Sequence, residues 1–118
     1  MTGGEWEVEL SAASQADLQE IVRWTARQFG RAQAIAYGNI IKDALDALGA
    51  GPNAIGVRQR DDIGPGYCTL HVGRNRSRGR HVVLFRVSGR IEDQVIRVVR
   101  ILHDAMDSAR HVPLDDET

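Results

Sequence analysis

Histidine and arginine are the residues of this chain whose types and spacing could do chemistry. His103 follows an apolar strand pattern, Val95 to Leu102, and titrates near neutrality, so it is the candidate general acid or base. Arg58, Arg60, Arg86 and Arg97 would supply cations around it. A base that takes a ribose hydroxyl proton, cations that stabilise a pentavalent phosphate and an acid for the leaving oxygen would together cleave RNA. The plainer reading of His103 is a strand-end histidine hydrogen-bonded to backbone or to Asp104, and that reading is preferred. His71 and His81 read as ordinary strand residues, and His111 lies near the tail.

Other chemistry is excluded cheaply. No two histidines show helical ligand spacing, so no metal is expected, and nothing implies a cofactor. The single cysteine, Cys68, rules out an intramolecular disulfide and reads as a small core hydrophobe beside Leu70 and Val72.

The net charge of -1 over 118 residues hides a strong asymmetry. Residues 58–100 hold ten arginines against four carboxylates, while the segments before and after are acidic. All the basic residues there are arginine, whose planar fork suits carboxylates and phosphates. Arg74, Arg76, Arg78 and Arg80 alternate along one loop and would project from one side if it is extended. Arg97 and Arg100 interrupt an apolar strand and are expected to pair with carboxylates of this chain or of a partner. The near-neutral total argues against indiscriminate or sequence-specific nucleic-acid binding by the chain alone, and favours a basic face for a specific acidic partner.

The elements that must position these groups follow from periodicity. Glu5 to Leu10 alternates and reads as a strand with Trp6, Val8 and Leu10 inward. Ser14 is the candidate N-cap of a helix running to Phe29, with Asp17 expected on first-turn N–H groups. Gly30 breaks that helix, and a second runs from Arg31 to about Leu48, forming an antiparallel hairpin. Strands are expected over Ile55–Arg60, Tyr67–Val72, His81–Val87 and Val95–Leu102, with a short helix between His103 and His111. The expected fold class is α+β: an N-terminal strand, a two-helix hairpin packed on a mostly antiparallel sheet, and a short C-terminal helix. One domain is expected over residues 1–118, with disordered ends at 1–4 and 113–118. No apolar run reaches the roughly 20 residues of a membrane span, and no secretory signal opens the chain, so a cytoplasmic protein is expected.

The chain resembles a known family. His81-Val82-Val83-Leu84-Phe85-Arg86-Val87, followed by Val95-Ile96-Arg97-Val98-Val99-Arg100-Ile101-Leu102-His103-Asp104 and the Met106-Asp107 segment, is similar to the C-terminal half of ParE toxins in the RelE/ParE superfamily. Gly64-Pro65-Gly66-Tyr67 leading to His71-Val72-Gly73 is similar to the stretch before it, and the early Leu18-Gln19-Glu20-Ile21 helix agrees in order. The resemblance implies a toxin of a type II toxin–antitoxin module, with a ParD-like antitoxin, ribbon-helix-helix in type, in an oligomeric complex. It implies DNA gyrase as the target, poisoned without turnover. RelE-like relatives instead cut mRNA on the ribosome. Tyr67 begins a strand, away from the C-terminal position where those ribonucleases often place a tyrosine. The Arg74–Arg80 loop is longer and more basic than the usual hairpin. Candidate contacts with the target or antitoxin are Arg74, Arg76, Arg78, Arg80, Arg97, Arg100, Trp24 and Tyr37.

Overall fold

The computed structural model describes residues 5–73, 79–106 and 108–112. Strand β1 (Glu7–Leu10) keeps the expected alternation, and Trp6, Val8 and Leu10 pack against the core. Helix α1 (Ala12–Phe29) begins one turn earlier than expected. Its N-cap is Ser11 rather than Ser14, because Ser11 leaves β1 in extended backbone and its hydroxyl accepts the Ser14 N–H at 3.0 Å. The same hydroxyl donates to the Val99 carbonyl at 2.8 Å, which pins the helix start to the sheet. Gly30 sits at φ +94°, a conformation that side chains rarely adopt, and its N–H returns to the Ala26 carbonyl. That single residue ends α1 and starts α2 (Arg31–Ala47), so the hairpin forms without a linker.

Strands β2 (Arg58–Gln59), β3 (Tyr67–His71), β4 (His81–Val87) and β5 (Val95–His103) complete a five-stranded sheet in the order β1-β5-β4-β3-β2. β1 lies parallel to β5, and every other pairing is antiparallel. The α+β architecture expected from periodicity is thus present. Two further boundaries differ by three residues or more. Residues 55–57 do not pair, because the Val57 N–H closes a turn onto the Ala54 carbonyl and leaves Ile55 in solvent. The C-terminal helix is only a 3-10 turn at Ser108–His111, since the chain first turns tightly, with the Met106 N–H on the His103 carbonyl.

Ile41, Ala44 and Leu48 of the second helical stretch lie on Leu70, Val83, Phe85, Ile96, Val98 and Ile101 of the sheet. Each of these larger side chains is essentially solvent-free and contributes roughly 1.5–3 kcal/mol. A bulge in β5 adds Val99 between the Phe85–Val98 and Leu84–Arg100 pairs. This extra residue is why β5 looks apolar on both faces in sequence. β5 continues past the end of β1, and α1 packs against it.

Candidate functional site

Sheet register assembles the site. The first residue of β4, His81, lies opposite the last of β5, His103, so their rings share the helix-side face at 5.5 Å between centroids. Tyr37 descends from α2 to meet them. Its hydroxyl accepts the Arg80 N–H at 2.9 Å and shares a hydrogen bond of 2.6 Å with His81 Nδ1. His103 Nδ1 accepts the Ala105 N–H at 3.1 Å, and His71 Nδ1 accepts the Gly73 N–H at 2.9 Å. His71 Nε2 then donates to Asp104 Oδ2 at 3.0 Å.

The environment fixes the charge states. Burial, reinforced by the neighbouring His103, pushes His81 down from 6.5 to about 4, so it is neutral at pH 7. Burial also raises the Tyr37 phenol above its ordinary value. The hydrogen bond from His71 holds the Asp104 carboxyl below the usual carboxylate range.

Above this cluster opens a cleft of about 480 Å³. Trp24, Phe29, Ala36 and Ile40 form its apolar wall, and Tyr37, Arg80, His81 and His103 form its polar end. Trp24 and Phe29 meet edge to face at 5.9 Å, yet they remain 50% and 63% exposed. Such a pair ordinarily seeks burial. A second cleft of about 360 Å³ shares Trp24, His81 and His103 and continues towards Met106. Together they form a groove along the helix hairpin and the sheet end.

The residues expected to act with His103 do not join it. Arg86 lies opposite Arg97 in register, and Tyr67 lies opposite Arg86, with the guanidinium 6.0 Å from the ring centroid. Strand alternation places all three on the sheet face away from the helices. Arg58, opposite Thr69, belongs to that same face. Arg60 is held by Asp62 through two hydrogen bonds of 2.9 and 2.7 Å. His103 and the arginine set therefore occupy opposite faces of one sheet.

Arg97 and Arg100 do meet carboxylates of this chain. Arg97 lies 3.8 Å from Glu9, and Arg100 is gripped by Asp17. Arg74, Arg76 and Arg78 lie outside the described residues, whereas Arg80 is at the groove. Trp24 and Tyr37 are also groove residues. His81 is the member that sequence reasoning passed over. Only the pairing of one strand's first residue with another's last reveals it, and that register is not written in either segment alone. No group of three or more potential metal ligands occurs among the described residues. No helix among the described residues is long and apolar enough to cross a membrane.

Comparison with known proteins places this geometry. The family model described as ParE toxin of type II toxin-antitoxin system, parDE, matches residues 8–108. Toxin ParE1 of Mycobacterium tuberculosis is 40% identical over 103 residues, spanning 87% of this chain and 94% of the relative. Toxin ParE1 of Caulobacter vibrioides is 29% identical over 104 residues, with the same shares covered. A solved structure titled as the chromosomal ParDE TA system from P. aeruginosa superposes with a TM-score of 0.65 at 23% identity, covering 84% of this chain and 96% of that one. That likeness supports the fold. With a family model spanning most of its length, the chain belongs to the ParE family of toxins of type II toxin–antitoxin systems.

Proposed function

We propose that this toxin is a protein inhibitor of DNA gyrase that acts without catalytic turnover, and that a ParD-like antitoxin neutralises it by occupying the groove over Trp24 and Phe29. The observation that carries the non-enzymatic reading is the separation of His103 from Arg86 and Arg97 by the thickness of the sheet. General acid–base chemistry needs its proton carrier within hydrogen-bond reach of the atom that its cations hold. That condition fails for the ribonuclease constellation. The groove reading rests on two large aromatic side chains left half-exposed beside a cavity, a surface that a folding-on-binding segment covers efficiently. An oligomeric toxin–antitoxin complex in the cytoplasm, where gyrase works, completes the proposal.

A supercoiling and DNA-cleavage assay with purified toxin and gyrase tests it. Inhibited supercoiling with accumulated cleaved DNA is expected, and so is wild-type potency for His103→Ala. Unchanged gyrase activity together with mRNA cut on ribosomes would overturn the proposal in favour of the nuclease.

A further inference from the structure

The two imidazoles of the groove have an unusual property that follows from what holds them. Each Nδ1 already has a hydrogen-bond partner: the Tyr37 hydroxyl at His81 and the Ala105 N–H at His103. A backbone N–H can only donate, so Nδ1 of neutral His103 must be the bare nitrogen. With the Arg80 N–H on its oxygen, Tyr37 has no acceptor for its own proton among the described residues other than His81 Nδ1. In its neutral form each ring therefore carries its hydrogen on Nε2. Among the described residues neither Nε2 has a hydrogen-bond partner. A base needs a lone pair towards its substrate, and these rings offer N–H groups instead.

The polar end of the cleft is consequently a set of donors. His81 and His103 present N–H groups, and Arg80, whose side chain is cationic, also belongs to the lining. Among the described residues no carboxylate lines this cleft. Asp104, the nearest acid to the rings, is bonded through Oδ2 to His71, and its Oδ1 lies 3.5 Å from His103 Nδ1, on the side of that ring away from Nε2. The neighbouring cleft does contain an acid at its wall, Asp17, but that carboxylate is spent on Arg100.

We propose that this end of the groove is a carboxylate seat, taking an aspartate or glutamate side chain of the antitoxin while a neighbouring apolar side chain fills the wall of Trp24, Phe29 and Ile40. The proposal rests on the groove being the antitoxin's site, and it adds the chemistry of the segment that enters. Charge complementarity selects this occupant. A cationic or donor-bearing side chain would meet only donors and an arginine, whereas a carboxylate accepts from all three groups. The apolar wall excludes water from one side and strengthens those bonds.

Two measurements on the full chain test the seat. Long-range proton–nitrogen NMR of the histidines is expected to show a bare Nδ1 and a protonated Nε2 at both His81 and His103. A ring protonated at Nδ1 would remove the donor pair and overturn the idea. Hydrocinnamate, an apolar ring carrying a carboxylate, then serves as the binding probe against its amide. The acid is expected to bind at least about tenfold more tightly than the amide. His103→Leu should abolish that preference, and His103→Gln should keep it, because the glutamine amide places an N–H near the Nε2 position. Equal binding of acid and amide, or a preference indifferent to His103→Leu, overturns the seat. Capture of the antitoxin encoded beside the toxin separates this from the groove reading. Capture that survives Trp24→Ala sinks the groove itself. Capture lost in Trp24→Ala but unaffected by His103→Leu sinks the carboxylate seat alone.

Discussion

Asp17 of α1 grips Arg100 of β5 with both carboxylate oxygens, at 2.7 and 2.8 Å, and one of those oxygens also accepts the Ile101 N–H at 2.9 Å. The arrangement closes a sheet edge. β1 pairs with β5 only as far as Leu10 and Val98, so among the described residues the edge of β5 beyond that point has no strand beside it. A side-chain carboxylate takes the place of a strand carbonyl, and Arg100 supplies the opposite charge beside it. Arg100 is in turn held by the His111 carbonyl at 3.0 Å, and Asp17 pushes its pKa above the ordinary arginine value.

Replacing Asp17 should therefore cost more than a surface ion pair. The two side chains are only 24% and 15% exposed. Asp17→Ala leaves a half-buried guanidinium and an edge amide unsatisfied, and is expected to lower unfolding free energy by about 2–3 kcal/mol. Asp17→Asn retains an acceptor for Ile101 and should lose about half of that. Urea unfolding midpoints at fixed m-value measure both.

The His81 environment predicts how stability varies with pH. Its pKa is about 4 in the folded protein against 6.5 for an unperturbed histidine. Between those values the unfolded chain takes up a proton that the folded chain refuses. Stability must then fall as pH is lowered through that window, and the contribution is complete above it. After allowance for partial solvation the loss is on the order of 1–2 kcal/mol. Asp104 acts elsewhere: its depressed carboxyl stabilises above its ordinary value of 3.8 and loses this only as the pH falls below that value, through the folded pKa. His81→Asn keeps an acceptor for Tyr37 and cannot titrate, so the slope between pH 6.5 and 4 should flatten in that variant while the drop at lower pH persists. Chemical denaturation across a pH series reads both effects.

Gly51 is constrained by Trp6. Its φ is +93°, and a Cβ there would lie 2.6 Å from the indole Nε1. The Trp6 backbone is held in turn, since its amide N–H bonds to the Gly49 carbonyl at 3.1 Å. Gly51→Ala should cost about 2–3 kcal/mol through backbone conformation and steric conflict together. In a Trp6→Ala background the conflict disappears, so the two substitutions should be less than additive in a double-mutant cycle of thermal unfolding.

Much of this architecture could be read from residue order. The alternation of Glu7 to Leu10, the spacing within both helices and the break at Gly30 each act locally, and each appears where the pattern puts it. Long-range features were legible only in part. That Arg100 would need a carboxylate followed from its apolar neighbours; that the carboxylate would be Asp17, expected at its own helix start, did not. The bulge at Val99 shifts register by one residue, and no local signal marks it. The face on which His103 lies depends on that register, so the candidate nuclease set could be drawn up from residue types but not tested until the strands were paired.

Trp24 carries the prediction that bears most directly on function. An indole half in solvent contributes little to folding, so Trp24→Ala should reduce unfolding free energy by under about 1 kcal/mol. The same indole forms the boundary between both clefts and stacks edge to face on Phe29. A partner segment laid along the groove would desolvate it fully, the situation in which a tryptophan becomes an anchor worth about 2 kcal/mol or more, or roughly thirtyfold in affinity. Phe29→Ala should weaken antitoxin binding similarly, and the double variant by less than the sum, because each ring depends on the other for its packing. Calorimetric titration of the variants with the antitoxin, alongside urea unfolding, distinguishes the two fates of such a residue. A large loss of stability with affinity unchanged would make Trp24 part of the fold's own packing. Affinity lost at constant stability would mean that these two rings are left open because the toxin is completed by another chain.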